Sequence, residues 1–187
     1  MDRVAIFVDG AYLDKLLLHE HGGARINLGA LAQRLSDGQN LLRSYYYHCP
    51  IFKSDPPTPD ESAKAAKQDG YFAALSRLPR FQVRLGKLAY RGQTADGRPI
   101  FVQKRVDLML GVDMVQLAAT RQINRAVLVA GDSDFVPAIE VVKQHGVLTV
   151  LWHGPMRSGS RSNVHRELWD TCDERNELTH DIVTALK

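Results

Sequence analysis

Cysteine is nearly absent from this 187-residue chain: there are two, Cys49 and Cys172, far apart in sequence. They supply no framework of pairs, which argues against a disulfide-stapled scaffold and makes a reducing cytoplasm the expected setting. Long apolar runs are missing as well. No segment approaches the roughly 18 residues of a membrane span. The chain begins almost directly with a strand-like run, without the basic start, apolar stretch and small-residue site of a signal peptide. A membrane is therefore not an expected partner. The seven histidines are scattered, and no two of them fall in a metal-binding spacing such as one helical turn. There is no internal repeat and no linker separating two cores.

What is present is ordinary in bulk. The hydrophobic and charged fractions, 44% and 24%, are those of a globular protein, and the length suits one α/β domain with a full core. The net charge is only +3, with a pI near 8.9, but it is unevenly spread. Arg77, Arg80, Arg84, Lys87, Arg91, Arg98, Lys104 and Arg105 fall in one stretch opposed by Asp96 alone. Such a stretch fits either a polyanion such as nucleic acid or an ordinary solvated face.

Short β-branched runs alternate with helical patterns. Val4 to Val8 (VAIFV) suits a strand covered on both faces. Helices are expected over Ala11 to Leu18 and, capped by Asn27, over Leu28 to Leu35. Leu41 to Cys49, with Tyr45, Tyr46 and Tyr47, reads as a strand. A proline-rich connection from Pro50 to Pro59 then leads to a helix over Asp60 to Leu78. Phe81 to Tyr90 reads as one strand, Ala95 to Arg98 as a turn, and Ile100 to Gln103 as the returning arm of a β-hairpin. Val106 to Thr120 is a helix, Ala126 to Ala130 a strand, Phe135 to Gln144 a helix and Val147 to Trp152 a strand. A Gly/Ser/Arg loop covers Gly154 to Ser162, and a short helix follows from Asn163 to Trp169. The expected fold is a three-layer α/β/α sandwich around a mostly parallel sheet, plus the hairpin. One domain is expected over residues 1–173, with a poorly packed tail over 174–187.

In open α/β sheets, ligands bind beyond the carboxyl ends of the strands. The first strand ends in Asp9, and VLVAGDSDF delivers Asp132 and Asp134 in the same way. One such aspartate is readily a helix cap. Acids at the ends of two central strands repel unless something cationic lies between them. Asp107, in the first turn of the preceding helix, would join them. Asp113 is six positions further on, pointing about 120° away around that helix and displaced by about 9 Å along it. It ranks below the others. Carboxylates without histidine or cysteine form the ligand set of a hard cation, Mg²⁺ or Mn²⁺, and an all-carboxylate site for these ions generally serves phosphate chemistry. Asp9, Asp107 and Asp132 are expected to bring their carboxyl groups within about 4–8 Å of one another, a span that a metal ion with intervening waters bridges.

At these residues the chain resembles the NYN domains of the LabA-like group, within the PIN-like nuclease superfamily. The similar stretches are VAIFVDGAYL, RSYYYHCPIF, FQVRLGKLAY, QKRVDLMLGVDMVQLA, VLVAGDSDFVPAIE, GVLTVLW and SNVHRELWDTCDE. They follow the family's order and cover nearly the whole chain. The combination of GDSDF with a preceding KxVDxxLxxD helix is more specific than either piece. The resemblance implies a PIN-like fold, a Mg²⁺- or Mn²⁺-dependent ribonuclease and RNA as the partner. It places Asp9, Asp107, Asp113, Asp132 and Asp134 on the family's acidic positions, with metal binding implied at Asp9, Asp107, Asp132 and Asp134. Two positions depart from the pattern: Tyr12 stands where the first motif usually carries asparagine, and Ala130 where many members carry Ser or Thr. An amide and a hydroxyl that could hold substrate or water are thereby lost.

Candidate substrate contacts are Lys104, Ser133, Arg84, Arg91, Arg157 and Arg161, each also readable as a surface or capping residue. The tyrosine triplet could stack bases, but strand alternation favours the core. Trp152 and Trp169 read as packing residues. The chemistry expected is in-line attack of an activated water on an RNA phosphodiester, leaving a 5′-phosphate. The rivals are a non-catalytic nucleic-acid-binding adaptor, favoured by Tyr12 and Ala130, and a metal-dependent phosphoesterase for a small substrate. Oligomeric state is left open.

Overall fold

The strand over Arg3–Asp9 (β1) is buried through its apolar centre, Val4 to Val8, on both faces. That demands a layer on each side of the sheet. The computed structural model, which describes residues 3–94, 96, 99–157 and 160–187, supplies both. After β1 come α1 (Gly10–Glu20), α2 (Leu28–Ser36), β2 (Asn40–His48), α3 (Pro59–Ser76) and β3 (Phe81–Leu85). A hairpin of β4 (Lys87–Gln93) and β5 (Pro99–Lys104) leads into α4 (Val106–Ala119) and β6 (Arg125–Val129). The chain continues through α5 (Val136–Gln144), β7 (Leu148–His153), α6 (Arg166–Thr171), β8 (Glu174–Glu177) and α7 (His180–Ala185).

Six strands form one sheet in the order β3-β2-β1-β6-β7-β8, and every neighbouring pair in it is parallel. Alternation along each strand divides the core in two. Val4, Ile6, Val8 and Tyr46 face α1, α2, α3 and α7, whereas Ala5, Phe7, Tyr45 and Tyr47 face α4, α5 and α6. The three tyrosines are thus core residues on alternating faces, and the stacking alternative is withdrawn.

Two expectations need correction. The strand foreseen over Phe81 to Tyr90 is broken at Gly86, whose N–H donates to His48 O at 2.8 Å. A Cβ at Gly86 would stand 2.6 Å from Lys104 O. This crossing of backbones ends β3 and turns the chain out into the β4–β5 hairpin, which forms its own two-stranded sheet. The expected Ala95 to Arg98 turn, apart from Asp96, lies outside the described residues. The expected tail is also ordered. β8 pairs with β7, and Leu178, Val183 and Leu186 are buried in the core beneath α1 and α2. The apolar content of LTHDIVTAL is too spread to read as a strong periodicity, but it has a sheet edge and a helix layer to cover.

Candidate functional site

The sheet changes direction at β1. From β1 the chain builds outward through β2 and β3, then returns to lay β6, β7 and β8 on the other side. The crevice at such a switch point, beyond the carboxyl ends of the two flanking strands, is where open α/β sheets bind ligands. Asp9 ends β1, and Asp132 follows β6 after Ala130 and Gly131. They line the same cleft of about 820 Å³. α4 starts at this edge as well, with Asp107 in its first turn.

Local geometry holds the acids in place. Asp9 Oδ1 accepts from Tyr12 N at 3.1 Å and caps α1. Asp132 Oδ1 accepts from Asp134 N at 3.1 Å, capping a single 3₁₀ turn, Ser133–Phe135, ahead of α5. The close approach of β1 to its neighbours requires Gly10, where a Cβ would fall 2.6 Å from the Tyr46 ring and 2.7 Å from His48. Burial pushes the Asp9 carboxyl up to about 6; the charge of Asp107 adds to this, against the capping bond from Tyr12 N. Asp107 is raised in turn, first by burial and then by the charges of Asp132 and Asp134. The four acids therefore form one electrostatic group centred on Asp107.

Among the described residues no three acidic, histidine or cysteine side chains are placed to hold one metal ion. The donor chemistry fits a hard divalent cation: carboxylate oxygens only, with the Asp9 and Asp107 carboxyls both raised, first by burial and then by neighbouring negative charge.

Asp113 belongs elsewhere. It is buried, accepts from Tyr47 Oη at 2.8 Å, and takes two bonds from Arg84, at 3.0 Å from Nε and 2.6 Å from Nη2. The fork ties α4 to β2 and β3, so the expected catalytic role of Asp113 and phosphate role of Arg84 give way to a structural ion pair. Arg157 is likewise engaged, its Nη2 donating to Glu20 Oε2 at 2.6 Å. Arg161 lines the cleft and has no acidic partner among the described residues. Ser133 is half-buried in the 3₁₀ turn, and Lys104 and Arg91 are exposed on the hairpin. Arg98 lies outside the described residues.

Sequence reading missed Lys15, Asn163 and His165, which line the same cleft. Lys15 was legible in principle, because it follows Tyr12 by three positions and so shares its face of α1. The loop residues reach the cleft only through tertiary folding. Tyr12, one of the two departures named above, serves as a strut. Its hydroxyl donates to Ser162 O at 3.1 Å and accepts from Gly154 N at 2.8 Å, bolting α1 to the loop after β7. Its ring lies where a Cβ on Gly131 would be 2.2 Å away. Burial, opposed by the bond from Gly154 and reinforced by Asp9, pushes its phenol up to about 12. Ala130 is fully buried.

The NYN domain family model matches residues 3–175. The uncharacterized protein y4oD of Sinorhizobium fredii is 29% identical over 114 residues, which are 61% of this chain and 49% of that protein. The chain thus spans about half the length of that curated relative. A crystal structure of a protein of unknown function from Vibrio parahaemolyticus superposes with a TM-score of 0.62 at 16% identity, over 96% of this chain and 94% of that one. At that identity the likeness concerns the fold alone.

Proposed function

We propose, on the premise that this chain belongs to the NYN domain family of the PIN-like nuclease superfamily, that it is a metal-dependent endoribonuclease. The observation that carries this reading is the grouping of Asp9, Asp107, Asp132 and Asp134 at the switch point of the sheet, where burial and then the charge of Asp107 push the Asp9 carboxyl up to about 6. Asp107, with Asp9 or Asp132, would hold a Mg²⁺ or Mn²⁺ ion. When bound, the ion supplies Lewis acidity toward a phosphodiester. Its charge would bring Asp9 fully into the ionised form. Asp134, exposed at the same edge, is the carboxylate best left free to accept a proton from an attacking water. Arg161 and Lys15 on the cleft wall, Ser133 in the 3₁₀ turn, and Lys104 and Arg91 on the hairpin would contact the RNA phosphates.

The test is cleavage of an end-labelled single-stranded RNA in Mn²⁺ and in chelator. Wild type should cleave only with metal, leaving 5′-phosphate ends, and Asp107→Asn should lower the rate by about 100-fold or more. A second reading, a nucleic-acid-binding adaptor with the fold but no turnover, is favoured by one observation: Tyr12 has converted a polar position of the first motif into a structural strut. Tight RNA binding with no cleavage in either metal would select the adaptor.

A further inference from the structure

A second cleft, of about 540 Å³, lies on the opposite side of α1, between that helix, the α1–α2 connection and α3. The acidic edge does not use it. Its volume is in the range of small-molecule sites, and its chemistry is divided. Leu13, Leu17 and Ile26 give an apolar floor, while Tyr46 and Tyr71 bring two aromatic rings, 6.5 Å apart and nearly perpendicular. Tyr71 remains 45% exposed, so part of its ring is available to a planar group.

The rim is cationic. Arg25 comes from the connection, and Lys64 and Lys67 from successive positions on one face of α3. Lys64 meets Asp60 in an exposed i,i+4 pair at 2.9 Å, an arrangement that holds a lysine only weakly. Arg25 and Lys67 are exposed and have no acidic partner among the described residues. A single acid, Asp14, lines the other wall, one oxygen occupied by His48 Nε2 at 3.0 Å. Its remaining lone pairs can accept from an N–H of a ligand.

We infer that this cleft binds a nucleoside monophosphate unit, free or within a strand, with its base against Tyr71 and its phosphate on Arg25, Lys64 and Lys67. The aromatic wall suits a base face, the three cations suit a phosphate, and the Asp14 carboxylate suits an exocyclic amine. An aliphatic anion would satisfy the rim but would offer no N–H to the second oxygen of Asp14. The inference does not depend on cleavage at the acidic edge.

Calorimetric titration of the full chain with AMP, CMP, UMP and a 5′-phosphorylated RNA trinucleotide tests it, with decanoate as the aliphatic control. Comparison is with an Arg25→Glu/Lys67→Glu double variant, whose substitutions are exposed and leave the core intact. Binding of AMP and CMP over UMP, weakened about tenfold or more in the double variant, is the expected result and identifies a free nucleotide. The same dependence seen only with the trinucleotide supports the site and makes a strand its source. Nucleotide binding that ignores the double variant, or decanoate binding in place of nucleotide, overturns the inference. Asp107→Asn separates the two sites: it should abolish cleavage and leave this binding unchanged.

Discussion

Asp9 Oδ1 caps α1 through Tyr12 N, yet the same carboxyl is carried up to about 6 by burial and by Asp107. The folded protein therefore binds a proton at Asp9 more readily than the unfolded chain, whose carboxyl titrates near 3.8. By linkage, stability falls as pH rises from about 4 through 6, and the penalty persists at neutral pH. At about 1.4 kcal/mol per pKa unit the penalty is roughly 3 kcal/mol. Asp9→Asn keeps an acceptor oxygen for the cap and removes the charge. In chelator, urea unfolding should show the variant more stable than wild type at pH 7, by up to roughly 3 kcal/mol, with the gap closing near pH 4. Equal loss of stability at both pH values would make Asp9 a cap and nothing more. Asp113 is the contrasting case, because its charge is answered by Arg84 and Tyr47.

Among the elements, β8 and α7 show how a weak local signal can be overruled by a strong tertiary one. Glu174–Glu177 has little strand propensity, but β7 presents an open edge, and the Glu177 end delivers Leu178 into the core at 1% exposure. Leu178→Ala should cost about 2–5 kcal/mol, the range for a buried leucine, read as a lowered urea midpoint at unchanged slope. A change under half a kcal/mol would return the segment to the status of a tail. The β4–β5 hairpin is governed by the opposite balance. An isolated two-stranded sheet is marginal in water, and Leu88 is the described β4 residue packed against the core. Lys87 stands directly opposite Lys104 in its ladder, a like-charge pairing that is unfavourable without an anion.

Over the whole molecule, exposed cations lie on two elements: Lys87, Arg91 and Lys104 on the hairpin that leads into α4, and Lys15 and Arg161 in the cleft that Asp9 and Asp132 line. A single strand lying across both would release counterions at each contact. Lys87→Ala/Lys104→Ala should therefore weaken RNA binding and flatten the log–log salt dependence by about 1.4, at 0.7 per lost contact. Anisotropy across a salt series measures this, and a wild-type slope would make the hairpin a solvated face. The alternation of buried strands with helices was enough to give the sandwich, because period and burial are written locally in runs such as VAIFV and AVLVA. Asp9, Asp107, Asp132 and Asp134 were legible for the same reason: each sits at the end of an element whose direction the pattern already implied. The sequence could not show that Arg84 and Arg157 answer Asp113 and Glu20, since those pairs span 29 and 137 residues. Nor could it show that Tyr12 reaches Ser162, or that Lys15 and His165 share one cleft. Local propensity and hydrophobic period determined the elements and their acidic ends. Which charges meet, which are neutralised and which remain free for a ligand was decided only by packing, because distance in space is set by the closed sheet order and not by position along the chain.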